Sequence, residues 1–315
     1  MGKGDAYICK EIFNSVCILA NGNVVCSCRD VLPLNILGNL KRNRISDIIK
    51  TPLGMLKQNR ISDIFKNAKY NKLRELILSS EPNSYCPAIK DDCCLKSASC
   101  HDVDLNIYPK IEVLQLGTIS YCNLKCPLCH ASQWASSNRG RLGILPMDII
   151  ENLLKDTKET LATLLLYNYG EPFLDKRLLE IMMLAKRLVP NVYIGISTNG
   201  TVLPADWSEI IVKEQLISRI HFSIDGASQE TYAKYRVGGS FEKAFKNMVI
   251  LNDYNKLYKE TKLLIYWQYI LFEWNDSDQE IQRAIDLATE HGLAIIWTLT
   301  SSAGKSKRYT PESSD

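Results

Sequence analysis

From about Tyr108 to Thr300 the chain alternates short apolar runs with longer segments in which apolar side chains recur every three or four residues. Short apolar runs between turn residues read as buried strands, and the longer period reads as helices that bury one face. Six runs predict strands, at 112–118, 163–167, 192–197, 219–224, 263–272 and 293–299. Pro146 opens a helix striped by Ile149, Ile150, Leu153 and Leu154, and Leu178, Ile181, Met182, Ala185 and Leu188 stripe the next, which Pro190 stops. Phe241, Ala244, Phe245 and Met248 mark a third. Ile281, Ala284, Ile285 and Ala288 mark the last, with Gly292 at its C-terminal cap. These stripes are core positions. Repeated β-α-β units imply a parallel sheet, wound as a barrel or as a doubly wound sheet, and the pattern alone does not choose.

The first 105 residues read differently, as a cysteine-rich, irregular unit with a basic helical segment in its middle. Asn43-Arg-Ile-Ser-Asp-Ile48 recurs at 59–64, a local duplication too short for a solenoid. The tail, 301–315, is polar and reads as loose chain or as a cover over the barrel mouth. The 315 residues are 46% hydrophobic and 23% charged, enough for one large domain or two ordinary ones with a real core. A net charge of +3 gives no reason to expect nucleic acid or an anionic membrane as partner. No apolar run is long enough to cross a bilayer, and the amino terminus lacks the apolar stretch of a secretion signal.

Cysteine placement adds the chemistry. Eight of the 11 cysteines precede residue 101, three follow at Cys122, Cys126 and Cys129, and none comes later. Without a secretion signal, metal ligation is a stronger explanation than disulfides, and a reducing cytoplasm is expected. Cys122-Asn-Leu-Lys-Cys126-Pro-Leu-Cys129 sets three thiols on one short loop. Thiolates are the usual ligands of iron–sulfur clusters, and a four-iron cubane takes four. Three leave one iron open to a substrate or cofactor. A zinc knuckle, the bland alternative, is normally built from paired Cys-x2-Cys arms and fits a single trio poorly.

This spacing resembles the signature of the radical S-adenosylmethionine (SAM) enzymes. The resemblance implies a partial (β/α)6 TIM-like barrel over residues 106–300, with the site at the C-terminal ends of the strands. It further implies a [4Fe-4S] cluster on Cys122, Cys126 and Cys129, whose open iron chelates SAM. Tyr169-Gly170-Glu171-Pro172 is similar to the family's Gly-Gly-Glu-Pro motif, with Tyr169 in place of the first glycine, so Gly170, Glu171 and Pro172 are expected against the amino group of SAM. Ser197 and Asn199 end the third strand, and Ser223 and Asp225 end the fourth; both segments resemble those that face ribose and carboxylate. Arg236 resembles an arginine that grips the SAM carboxylate, and Leu128 stands where a side chain packs on adenine. Gln268 and Asn275 are further polar candidates near the fifth strand.

Residues 1–105 resemble the SPASM and twitch auxiliary iron–sulfur domains. Cys9, Cys26, Cys86 and Cys100 are the candidate ligands of an auxiliary cluster, with a structural zinc site as the alternative. The family reading implies an enzyme that cleaves SAM reductively to a 5′-deoxyadenosyl radical and removes a hydrogen atom from a peptide or a carbohydrate or aminocyclitol. An electron donor such as flavodoxin or ferredoxin is the implied partner. Tyr266, Trp267 and Glu273 are candidates for the substrate cavity or for plain core. The contrasting reading is a noncatalytic metal-binding scaffold on a degenerate barrel.

Overall fold

Among the described residues, nine strands join in one sheet. The computed structural model describes residues 14–25, 36–40, 61, 71, 110–129, 132, 143–258 and 263–310. In chain order the strands are β1 (Ser15–Ile18), β2 (Asn23–Val25), β3 (Ile36–Asn39), β4 (Val113–Leu116), β5 (Thr163–Leu165), β6 (Tyr193–Thr198), β7 (Arg219–Ser223), β8 (Leu264–Ile270) and β9 (Ala294–Thr298). The last six are the six runs read from the sequence, and each is parallel to the next. Every crossover between them carries helix: α1 (Met147–Thr157), α2 (Leu178–Leu188), α3 (Ala205–Lys213), α4 (Gln229–Tyr235) with α5 (Phe241–Leu257), and α6 (Asp278–His291). This is the partial (β/α)6 barrel, and no strand pairs β9 to close it among the described residues.

Strand side chains alternate between two environments. Leu114, Leu164, Ile194, Ile196, Ile220, Phe222, Ile265 and Trp267 are buried beneath the helices in one continuous core. Ile150, Leu153 and Leu154 of α1 and Ile181, Met182 and Ala185 of α2 supply the facing layer, as their period requires. The opposite face of β6–β8 holds Ser197, His221, Ser223, Tyr266 and Gln268. Trp267 therefore belongs to the core, where its Nε1 donates to Ile224 O at 2.7 Å.

Several sequence expectations are corrected. In α6 Ala284 and Ala288 are buried and Ile281 packs against the core as expected, but Ile285 is exposed and Glu280 is buried with them. Gly292 caps it as expected, in the left-handed conformation at φ 61°. Residues 14–25 and 36–40, read as part of a separate irregular unit, instead add three strands to the barrel sheet, with β1 parallel to β4. Residues 301–310 are not loose. They fold back on the loop after β8 through a Phe272–Lys305 bridge and a 2.6 Å bond from Ser306 Oγ to Asp276. Exposed Glu273, a cavity candidate, instead pairs with Lys307 at 3.1 Å. Cys9, Cys26, Cys86 and Cys100 lie outside the described residues, as does the 43–64 repeat apart from Ile61, which is buried in the core. None of the described helices is long and apolar enough to cross a membrane.

Candidate functional site

The loop after β4 carries Cys122, Cys126 and Cys129, and three later segments hold it in place. Asn199, just past β6, donates from Nδ2 to Asn123 Oδ1 at 3.0 Å and sits 3.9 Å from Cys122 Sγ. Its Oδ1 accepts from Thr201 N and Thr201 Oγ1, and Asn123 Nδ2 closes the circuit on Thr201 at 2.8 Å. Lys125 N donates to Val237 O at 2.9 Å, which ties the same loop to the segment after α4. Arg236 Nη1 lies 4.0 Å from Cys126 Sγ. Cys126 is buried, Cys129 half-buried and Cys122 at the surface, with Leu128 half-buried beside Cys129. Although Cys122 reaches the surface, burial of its thiol is the main cause that pushes it up to about 11, and Glu171 and the other two cysteines add to the rise. Burial also raises Cys126, against the pull of Arg236. Both thiols are thus neutral in the metal-free protein, and ligation would release their protons.

Gly170 crosses the base of this loop at φ 146°, a backbone conformation reserved for glycine. A Cβ there would stand 2.3 Å from Ile119 O and 3.1 Å from Tyr121 O. The close approach lets Glu171 N donate to Tyr121 O at 2.8 Å. Pro172 then starts a short 3-10 turn that Glu171 caps. The Glu171 carboxylate is buried and fully engaged: Oε1 accepts from Phe173 N and from Thr198 Oγ1 at 2.6 Å, and Oε2 accepts from Asn199 N at 2.8 Å. Its side chain therefore fastens the end of β6 to the motif loop. The expectation of a carboxylate reaching for a ligand becomes one of a carboxylate that shapes the floor beneath it.

Asp225 and Arg236, both assigned to the ligand from the sequence, bond to each other. Arg236 Nε donates to Asp225 Oδ2 at 2.6 Å, and Ile270 N donates to Oδ1 at 2.7 Å. Asp225 is wholly buried, and the carboxylate raises the pKa of the guanidinium beside it. Burial pushes the Asp225 carboxyl up, while the guanidinium and the amide of Ile270 oppose the shift. Asn275, fully buried, donates to Asp225 O at 3.1 Å and to Ile270 O at 2.9 Å, which makes it a brace for the turn. Ser197 and Ser223 stand with their hydroxyls 3.4 Å apart. Gln268 faces His221, at 3.2 Å.

Other contributors were not singled out in the sequence. Glu280 of α6 accepts from Ala227 N at 2.6 Å, from Tyr269 OH at 3.3 Å and from Thr231 Oγ1, and so anchors the Asp225–Ala227 turn from behind. Ser277 caps α6 through Glu280 N, so Ser-x-x-Glu at 277–280 has the form of a capping box; here the glutamate reaches across to the barrel. Tyr232 of α4 is fully buried, and its hydroxyl bonds to nothing among the described residues. Asn123 and Thr201 were equally silent in the sequence.

Residues 117–266 match the family model of the Radical SAM superfamily. A cysteine-type anaerobic sulfatase-maturating enzyme of Clostridium novyi is 27% identical over 152 residues, 44% of this chain and 40% of the relative. A probable GTP 3′,8-cyclase of Methanococcus maripaludis is 29% identical over 140 residues, 44% of this chain and 45% of the relative. The solved structure of native anSMEcpe with bound AdoMet is similar with a TM-score of 0.45 and 19% identity, covering 61% of this chain and 55% of that one. The chain thus spans less than half the length of these curated relatives. With its cysteine loop and strand-end motifs inside the matched span, the chain carries a domain of the radical SAM superfamily, the class that works with a [4Fe-4S] cluster and S-adenosylmethionine.

Proposed function

We propose that this chain is an enzyme that cleaves SAM reductively and removes a hydrogen atom from a peptide or a carbohydrate-type substrate, the electron coming from a flavodoxin- or ferredoxin-like donor. The observation that carries the reading is the cysteine loop itself, with Cys122 held beside Asn199 at the end of β6 and Cys126 beside Arg236 after α4. The buried, unpartnered hydroxyl of Tyr232 is a second fit, since such a group calls for a polar partner.

Cys122, Cys126 and Cys129 would hold the cluster. When bound, the cluster and SAM supply the electron and the 5′-deoxyadenosyl group that takes the substrate hydrogen. The protein's part is placement. Gly170 lets backbone carbonyls crowd the loop base, where they can accept from an amino group. Ser197 and Ser223 offer hydroxyls to a ribose, and Leu128 offers an apolar surface to a base. Arg236 keeps donors beyond the one it gives Asp225, in reach of a carboxylate beside Cys126. Residues 1–105 are proposed to hold an auxiliary cluster through Cys9, Cys26, Cys86 and Cys100, in a cytoplasmic, reducing setting.

The test is anaerobic. Protein reconstituted with iron and sulfide is given dithionite and SAM, and 5′-deoxyadenosine is measured by mass spectrometry. Product from the wild type and none from Cys126→Ala supports the reading. Zinc in place of iron, or no product from protein with an assembled cluster, returns the chain to the scaffold class.

A further inference from the structure

We propose that His221 is the hydrogen-bond acceptor for the O–H of a carbinol group, H–C–O–H, in the substrate, an inference that rests on the radical SAM reading above. Ile220 and Phe222 point into the helix-covered core, so His221 between them faces the opposite side of β7. That side is polar across three strands. Ser197, His221 and Tyr266 are register neighbours on β6, β7 and β8, and Ser223 and Gln268 pair one step nearer the strand ends that carry the SAM motifs. A closed barrel fills this space with branched apolar side chains. Here it is filled with hydrogen-bonding ones, and His221, Tyr266 and Gln268 are all partly accessible.

The tautomer follows from the neighbours. His221 Nδ1 lies 3.2 Å from Gln268 Oε1, so the ring proton belongs on Nδ1. Nε2 is then a bare lone pair. It is buried and bonds to nothing among the described residues, and the His221 and Tyr266 rings meet at 74° with centroids 5.3 Å apart. Burial, aided by Arg219 and against the Gln268 bond, lowers the imidazole pKa, so the ring stays a neutral acceptor. An acceptor without a donor repels carbonyls and carboxylates and welcomes an O–H. The carbinol could come from a seryl side chain or from a cyclic polyol.

The experiment has two readouts. First, long-range proton–nitrogen spectra of 15N-histidine-labelled protein read the His221 tautomer, assigned among the four histidines by its loss in His221→Gln. Protonated Nδ1 and bare Nε2 are expected, and a proton on Nε2 overturns the inference. Second, 5′-deoxyadenosine is followed in reconstituted wild-type protein with myo-inositol, a seryl hexapeptide, the O-methylated form of each, and a cysteinyl hexapeptide. One hydroxylated probe should raise the rate, and its O-methyl form should not. In His221→Phe the half-saturating concentration of that probe should rise roughly tenfold, the worth of one good hydrogen bond, with partial recovery in His221→Gln. Each variant is read against its own probe-free rate, with SAM binding as the check that it is folded. Equal stimulation by the methylated probe, stimulation by the cysteinyl peptide alone, or product without any probe-dependent rise overturns the carbinol assignment only. No product under any condition, from protein with an assembled cluster, overturns the radical reading and this inference with it.

Discussion

Arg236 Nε donates to Asp225 Oδ2 at 2.6 Å, while Nη1 of the same guanidinium lies 4.0 Å from Cys126 Sγ. One side chain thus joins the turn after β7 to the cysteine loop. Asp225 is wholly buried, and the Arg236 side chain is 14% exposed. Removing either partner strands a charge in the interior, so Asp225→Asn or Arg236→Met should each cost about 3–5 kcal/mol of stability, while losing both together costs much less than the sum. A double-mutant cycle of urea midpoints on the full chain measures this. Additive losses would mean that the pair is not coupled.

Glu280 performs a comparable task from outside the motifs. Its carboxylate receives Ala227 N, Thr231 Oγ1 and Tyr269 OH, and Glu280→Ala leaves all three donors without that acceptor inside the protein. A loss of about 1–3 kcal/mol is expected, together with weaker SAM binding as the Asp225–Ala227 turn loosens. Denaturant midpoints and equilibrium dialysis with labelled SAM read the two effects separately. A stability loss with unchanged SAM affinity would confine Glu280 to the fold.

These two cases mark where sequence reading stops. The six barrel strands were legible because each is a short apolar run between turn residues, and Gly170-Glu171-Pro172 was legible by its likeness to a family motif, whose glycine the structure explains by φ 146° against Ile119 O. Arg236 and Asp225 were found as polar residues at strand ends, but their pairing joins positions on different elements and leaves no local pattern. Glu280 lies beside the expected stripe of α6, and its partners belong to α4, β8 and the turn after β7. The helix α4 escaped because Tyr232 is its one buried residue, and β1–β3 escaped because strands of three or four residues are too short for a period to show.

The pH dependence of stability has a predicted sign. His221 is held below the ordinary histidine value of 6.5, first by burial and further by Arg219, with Gln268 opposing. Below 6.5 the unfolded chain takes up a proton that the folded chain refuses, so the contribution of this residue is complete above 6.5 and is lost as pH falls from there through the folded pKa. Urea midpoints should decline between pH 7.5 and 5.5 more steeply in wild type than in His221→Gln. Parallel slopes would show that His221 ionises as freely in the fold as in the open chain.

Gly226 separates a steric requirement from a conformational one. A Cβ there would stand 2.4 Å from Tyr232 N and 2.7 Å from Tyr232 Cα, so the backbone of α4 rests directly on this glycine. Backbone cannot rotate away as a side chain can, and Gly226→Ala must push α4 outward, carrying Tyr232 and Arg236 from the site. The expected cost is about 1–3 kcal/mol, with SAM binding lost in proportion. Gly238 provides the contrast. Its Cβ would meet nothing nearer than Asn123 O at 3.8 Å, but its φ is 87°, so Gly238→Ala bears only the conformational strain, about 1–2 kcal/mol, with α4 left in place. Comparing SAM affinity at matched stability distinguishes the two: Gly226→Ala should bind more weakly than Gly238→Ala. Equal affinities would mean that the seat of α4 on Gly226 serves the fold and not the ligand.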